Sequence, residues 1–324
     1  SGGAVRTRMT ELFRDLDGGP LCPDGSVVCI GAFDGLHIGH RALVGRAVSR
    51  ARALGVSAVA LSFEPLPREF FAGGASPPRL QLPRMKLAEL RSLGIDRVGL
   101  LRFNAALAGL SAEDFVQRVL VDRLYAREVW VGPDFRFGRG RAGHLALLQR
   151  MGAELGFVAD TIAPVELDGA PVSSTRIRAA LQSGDFATAT RLLGKPYSIA
   201  GRVVYGKQLG RTLGYPTANL RFAGKTPALR GIYATWVHGV GPAPWSSVSS
   251  FGTRPTVDGK EPLLEAHLFD FDGDLYGKLI EIEFVARLRD EEKFPDLPTL
   301  VAQMDRDATQ PRRIMTNTTE RISA

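Results

Sequence analysis

The chain has little cysteine. Cys22 and Cys29 are the only two among 324 residues, which excludes a disulfide framework, and two thiols fall short of a structural zinc site. No apolar run approaches the roughly 18 residues of a membrane-spanning helix, and the opening Ser-Gly-Gly-Ala has no leader-like apolar stretch. The expectation is a cytoplasmic protein with no membrane partner. Internal repeats and low-complexity tracts are missing as well. The net charge is +7, but there is no long block of consecutive lysine and arginine and no aromatic-basic motif. Scattered arginines fit a phosphate-rich small substrate, so no nucleic-acid partner is expected. Asp270, Asp272 and Asp274 lack the glycine and distal glutamate of a calcium loop and read as a hairpin turn.

What the chain does contain is enough for well-packed cores, with 44% hydrophobic and 23% charged residues. Its length fits about two domains of ~150 residues each. From Val27 to about residue 183, short apolar runs alternate with helical ones. Strands are expected at Val27–Ile30, Val56–Phe63, Arg97–Leu101, Glu128–Val131 and Phe157–Ile162. Helices are expected at 41–54, 85–93, 113–125, 145–155 and from about 173 to 181. Strand–helix alternation argues for a parallel α/β sheet, whose ligands bind beyond the carboxyl ends of the strands. A short helix over 184–193 joins the halves. After Pro196 the pattern changes to short β-branched and aromatic runs between glycine and proline turns, at 198–205, 232–238, 246–251, 264–270 and 280–287. A helix at 297–307 ends the series. This second half reads as an antiparallel barrel with a C-terminal helix. The expected division is 1–183 and 184–324.

The densest signal is Gly31-Ala-Phe-Asp-Gly-Leu-His-Ile-Gly-His40, which sits between an apolar strand and a helix. The N–H groups of a first helical turn lack internal partners and the dipole is positive there, which makes an anion site. His37 and His40 are three residues apart and share a helix face, so both can reach one phosphate. A turn carrying two satisfied surface histidines is the other reading of H-x-G-H alone. Gly31, Phe33, Asp34 and Gly35 after a strand argue against it. The segment resembles the HxGH signature of the nucleotidyltransferases, in the form GxFDGxHxGH that the adenylyltransferase half of bacterial bifunctional riboflavin kinase/FAD synthetases carries.

Two further segments follow strands of the first half. Gly132-Pro-Asp-Phe-Arg-Phe-Gly-Arg-Gly-Arg141 follows the strand ending at Val131. Ser173-Ser-Thr-Arg-Ile-Arg178 opens a helix. Serine and threonine are ordinary N-caps, but Arg176 and Arg178 oppose the helix dipole unless an anion sits nearby. Arg176 is read as the phosphate ligand and Arg178 as structural.

The second half has its own site. Gly206-Lys-Gln-Leu-Gly-Arg-Thr-Leu-Gly-Tyr-Pro-Thr-Ala-Asn219 spaces three glycines for close approach to a phosphate without being a Walker loop. Thr217 and Asn219 face one side of an extended backbone. A hydroxyl and an amide oxygen side by side suit Mg²⁺, which also takes substrate phosphates. A proline-initiated turn with polar residues facing water is the alternative. Glu265 alternates with Leu264 and Ala266 in a strand. It is either an exposed edge charge or a general base.

These features resemble the riboflavin kinase half of the same bifunctional family, and the likeness covers nearly the whole chain. It includes Phe63–Pro67, Gly231–Ala234, Gly252–Thr256 and Glu265–Gly277. After Asp307 the basic, proline-containing tail departs from the family pattern. The resemblance implies a Rossmann-like nucleotidyltransferase domain with a parallel sheet over 1–183. Over 184–324 it implies a six-stranded antiparallel, riboflavin kinase-like barrel with a C-terminal helix. The implied activity is ATP-dependent phosphorylation of riboflavin to FMN, then transfer of AMP from ATP to FMN, giving FAD and pyrophosphate. An adenylyltransferase on another phosphorylated metabolite, with a non-catalytic barrel, is the other reading. Glu265, His37, His40 and Arg176 would carry the chemistry. Gly31, Phe33, Asp34, Gly39, Ser174, Thr175, Gly206, Lys207, Gly210 and Gly214 would hold ATP. Asp134, Phe135 and Arg136 would hold flavin, and Thr217 and Asn219 would hold Mg²⁺. Riboflavin, FMN, FAD and ATP are the implied partners. The sequence sets no oligomeric state.

Overall fold

The computed structural model describes residues 11–73, 76–205, 217–257 and 259–289, together with 302, 303 and 306. Two compact units emerge, one formed by the chain up to Pro77 with Lys86–Ser173, the other by Pro78–Met85 with Ser174 onward. The strands are β1 (Glu11–Phe13), β2 (Ser26–Ile30), β3 (Ser57–Glu64), β4 (Arg97–Arg102), β5 (Ala126–Val131), β6 (Val158–Thr161), β7 (Glu166–Leu167), β8 (Ala170–Pro171), β9 (Ser198–Val204), β10 (Thr217–Arg221), β11 (Ile232–His238), β12 (Trp245–Thr256), β13 (Gly259–Leu268) and β14 (Leu279–Arg289). The main helices are α1 (Ile38–Leu54), α2 (Pro67–Ala72), α3 (Pro83–Ser92), α4 (Ala105–Ala108), α5 (Ala112–Phe115), α6 (Leu145–Leu155), α7 (Ser174–Ser183) and α8 (Phe186–Leu193). The helix expected over 113–125 is α5 continued by a π-helical stretch, Val116–Val121.

In the first unit, six strands form one sheet in the order β1-β4-β3-β2-β5-β6, and every pairing is parallel. Strand β2 is buried along its whole length, as expected of a strand covered on both faces. Val28 and Ile30 pack with Val59, Leu61, Val129 and Val131 on one face. Val27 and Cys29 pack with Ala58, Ala60 and Trp130 on the other. The chain leaves β2 toward β3 on one side, and β5 later returns to its other flank. The loops after β2 and β5 therefore part at a topological switch point, where such sheets bind ligands. Ile30 lies opposite Val131, so Gly31 and Gly132 leave the sheet side by side.

The second unit holds a closed six-stranded barrel in the order β10-β13-β12-β11-β14-β9, with β9 returning to β10. Alternation sets its interior: Leu264, Ala266 and Leu268 of β13 and Ile280, Ile282 and Phe284 of β14 are fully or almost fully buried. Residues 78–85 join this unit. Arg79 N–H donates to the Thr226 carbonyl (2.8 Å), Tyr197 Oη to the Leu80 carbonyl (2.8 Å) and Arg178 Nε to the Pro78 carbonyl (2.6 Å). Helix α7 packs on α8, and by compactness alone both belong to the second unit. The hairpin expected around Asp270–Asp274 is not one. Strands β13 and β14 pair with different neighbours, so residues 269–278 cross between non-adjacent strands. Of the C-terminal helix expected over 297–307, the structure describes Ala302, Gln303 and Arg306, all helical.

Candidate active sites

The turn after β2 is built on unusual backbone. Phe33 (φ 49°) and Leu36 (φ 43°) occupy the left-handed region beside Gly35 (φ 94°). Two bulky residues held there store strain, a mark of functional turns. Helix α1 starts at Ile38, and its N-cap is His37, whose Nδ1 accepts the His40 N–H at 3.1 Å. A neutral His37 therefore carries its proton on Nε2, leaving that N–H as its outward donor. The two imidazoles stack, with centroids 3.6 Å apart and planes within 11°. Phe33 meets His40 edge-on at 5.4 Å. The sequence reading gave Gly31, Phe33 and Gly39 to nucleotide approach. The structure adds internal reasons: a Cβ on Gly31 would stand 2.9 Å from the Phe33 ring, and one on Gly39 3.1 Å from the His37 ring. The Phe33 side chain is wholly buried in the core, so toward a nucleotide it presents backbone only. Asp34 is also buried and pairs with Arg68 of α2.

Burial holds the His37 imidazole down to about 4. It holds His40 well below the ordinary value too, helped by the charges of His37 and Lys86. Both rings are neutral donors near neutral pH. In the barrel, burial lowers His267 to about 4 as well. Unfolded histidines protonate near pH 6.5 and these folded ones do not until far lower. The unfolded state thus binds more protons as pH falls through that window, and stability falls with it. The melting temperature is expected to be level above pH 7.5 and to decline from pH 7 to 5, where carboxylates are still ionised. A level profile across pH 7.5–5, measured by calorimetry, would contradict this.

Beyond β5, Asp134 and Arg136 are exposed, while Phe135 is half-buried and stacks on Phe137 at 5.6 Å. All three proposed flavin contacts thus lie on the loop that leaves the carboxyl end of β5, beside the strand end that leads into the His37–His40 turn. Ser174, Thr175 and Arg176 share the first turn of α7, which carries no acidic residue. Arg178, by contrast, is buried on the Pro78 carbonyl, which agrees with the structural role read for it.

In the barrel, β10 and β13 pair antiparallel with Thr217 opposite His267 and Asn219 opposite Glu265. This is strand, not a water-facing turn. All four residues lie on the face opposite the buried Ala218, Leu264 and Ala266. Thr217 Oγ1 and His267 Nδ1 are 3.2 Å apart. Asn219 is buried, and its Oδ1 has no hydrogen-bond partner among the described residues. A buried amide oxygen without a partner is costly, which makes this oxygen a candidate acceptor for a donor or a cation. The Glu265 carboxylate lies over Gly252 of β12, where a methyl group would stand 3.7–3.8 Å from it. Gly206, Lys207, Gly210 and Gly214 lie outside the described residues. Among the described residues no three His, Cys, Asp or Glu side chains cluster as a metal site.

Sequence reasoning missed Lys86 and Ser62. Both are buried beneath the His37–His40 turn, where Lys86 Nζ donates to the Ala32 carbonyl at 2.7 Å. A lysine in an amphipathic helix normally reads as a solvated face, so the sequence carried no signal for it.

Comparison with known proteins matches residues 20–176 to the FAD synthetase family model and residues 193–315 to the riboflavin kinase model. The bifunctional riboflavin kinase/FMN adenylyltransferase of Pseudomonas fluorescens is 44% identical, over 90% of this chain and 93% of its own. The Escherichia coli K12 protein of that name is 42% identical, over 88% and 91%. A Streptococcus pneumoniae crystal structure described as a macrolide-efflux protein is 30% identical, with a TM-score of 0.73 over 94% of this chain and 98% of its own. Among the described residues no helix is long and apolar enough to cross a membrane.

Proposed function

The chain belongs to the bifunctional riboflavin kinase/FMN adenylyltransferase family, and from that premise we propose how its two sites divide the work. As a member it is a transferase that phosphorylates riboflavin to FMN with ATP, then joins AMP from a second ATP to FMN, giving FAD and pyrophosphate. We assign FMN adenylylation to residues 1–183 and riboflavin phosphorylation to 184–324, working in the cytoplasm.

In the kinase step the ribityl 5′-hydroxyl attacks the ATP γ-phosphate, and Glu265 takes the hydroxyl proton. Positioning and charge neutralisation carry most of such a transfer. Mg²⁺, held by Thr217 and Asn219, would supply that neutralisation on the ATP phosphates. The donor set fits a hard cation that shares its coordination with substrate: one hydroxyl, one amide oxygen and a nearby carboxylate. The observation that carries this reading is the buried Asn219 Oδ1, which has no hydrogen-bond partner among the described residues and stands on β10 at the position paired with Glu265 of β13. Asn219→Ala is expected to raise the Mg²⁺ concentration giving half-maximal riboflavin phosphorylation by at least about tenfold. FAD formation from supplied FMN should keep its Mg²⁺ dependence. A Mg²⁺ titration of both reactions, with products separated by chromatography, checks this; an unchanged kinase titration would reject Asn219 as a ligand.

In the second step the FMN phosphate attacks the ATP α-phosphate. The nucleophile is already an anion, so no strong base is needed, and stabilising charge on the reacting phosphates is the task. His37 Nε2–H, His40 and the α1 N-terminus would donate to those phosphates. The family resemblance gives Arg176, Ser174 and Thr175 phosphate-binding roles as well. Asp134, Phe135 and Arg136 would hold the flavin.

A further inference from the structure

The turn that carries His37 and His40 is fastened from beneath by cations. Lys86 of α3, 1% exposed, donates its ammonium to the Ala32 carbonyl (2.7 Å) and reaches Ser62 Oγ (3.2 Å). Ser62, 0% exposed on β3, donates its hydroxyl to the same carbonyl (3.0 Å). Further along, Arg68 takes the Asp34 carboxylate, and Arg41 Nε donates to the Leu36 carbonyl at 3.0 Å. Ala32, Asp34 and Leu36 thus each have an acceptor bound by a positive side chain; Ala32 and Asp34 flank Phe33, and Leu36 is the second residue in the left-handed region.

Burying an ammonium is expensive unless it has partners or a task. Here two of its hydrogen bonds end at the entrance to a phosphate site. We propose that Lys86 is a positioning residue of adenylyl transfer: its ammonium, with Ser62, anchors the Ala32 carbonyl and so fixes the strained turn that aims His37 and His40 at the nucleotide phosphates. The ammonium does not reach the reacting atoms in this role. With the carbonyls of Ala32 and Leu36 taken by cations, the turn has N–H groups left to offer a triphosphate. A fixed positive charge at this place also discourages protonation of the imidazoles. The titratable and charged groups facing His40 are His37 and Lys86, and Asp34 acts on His37 in the opposite sense. The inference rests on the adenylylation site proposed above.

The test uses the full-length enzyme and four variants: Lys86→Met, Lys86→Arg, Ser62→Ala and His40→Ala. FAD formation from supplied FMN and FMN formation from riboflavin are measured on each. Lys86→Met should lower kcat for FAD formation by about 10²-fold, as loss of alignment does, with KM for FMN little changed and FMN formation intact. Lys86→Arg should recover much of the loss. In Lys86→Met the His40 imidazole signal, followed by NMR, should titrate at a higher pH than in the parent protein. If Lys86→Met makes FAD within threefold of the parent, the positioning role is wrong. If it damages both activities together, Ser62→Ala decides: unchanged FAD formation in that variant also overturns the proposal. If His40→Ala leaves FAD formation intact, the site assignment itself has failed, a result distinct from failure at Lys86.

Discussion

Glu265→Gln is expected to lower riboflavin phosphorylation by about 10²–10⁴-fold, the usual worth of a positioned general base, while FAD is still made from supplied FMN at the parent rate. Glutamine keeps the shape and the strand pairing opposite Asn219 and Ser250 but cannot take the hydroxyl proton. The carboxylate lies over Gly252, so the isosteric change creates no clash. Starting from riboflavin, both FMN and FAD should vanish, because the second reaction is starved of its substrate. Chromatographic product analysis from each starting flavin checks this. Riboflavin phosphorylation within a few-fold of the parent would show that Glu265 is not the base.

His40→Ala should do the reverse, letting FMN accumulate while FAD formation falls by about 10²–10³-fold, the cost of losing one preorganised donor to a reacting oxyanion. His40 stacks on His37 and meets Phe33, so its loss also frees the His37 ring that caps α1. Its Nδ1 is buried without a partner among the described residues, which leaves it ready for a ligand. Riboflavin phosphorylation by the same molecules serves as the control for folding. Normal FAD output would exclude a phosphate role for His40.

The two sites differed in how far the sequence disclosed them. The His37–His40 turn was legible because its signals are local: an apolar strand, glycines where the turn tightens, and a cap at a helix start. Thr217, Asn219 and Glu265 were legible as alternation, but only the β10–β13 register placed Asn219 opposite Glu265 and Thr217 opposite His267. Lys86 was not legible, because burial of its ammonium is decided by the Ala32 carbonyl and Ser62 of β3, far away in sequence. Local turn residues around Asp270–Asp274 revealed that the chain turns and not which strand β14 would join. Residues 78–85 carry no sequence signal for the second unit, and hydrogen bonds with Arg178, Tyr197 and Thr226 bring them into it.

Two sites linked only by FMN are tested most directly by mixing the Glu265→Gln and His40→Ala proteins with riboflavin, ATP and Mg²⁺. Each alone should fail to make appreciable FAD. Together they should make it, because the second protein supplies the FMN that the first adenylylates. A mixture that stops at FMN, or that makes neither product, would contradict the assignment of the two reactions to these two sites.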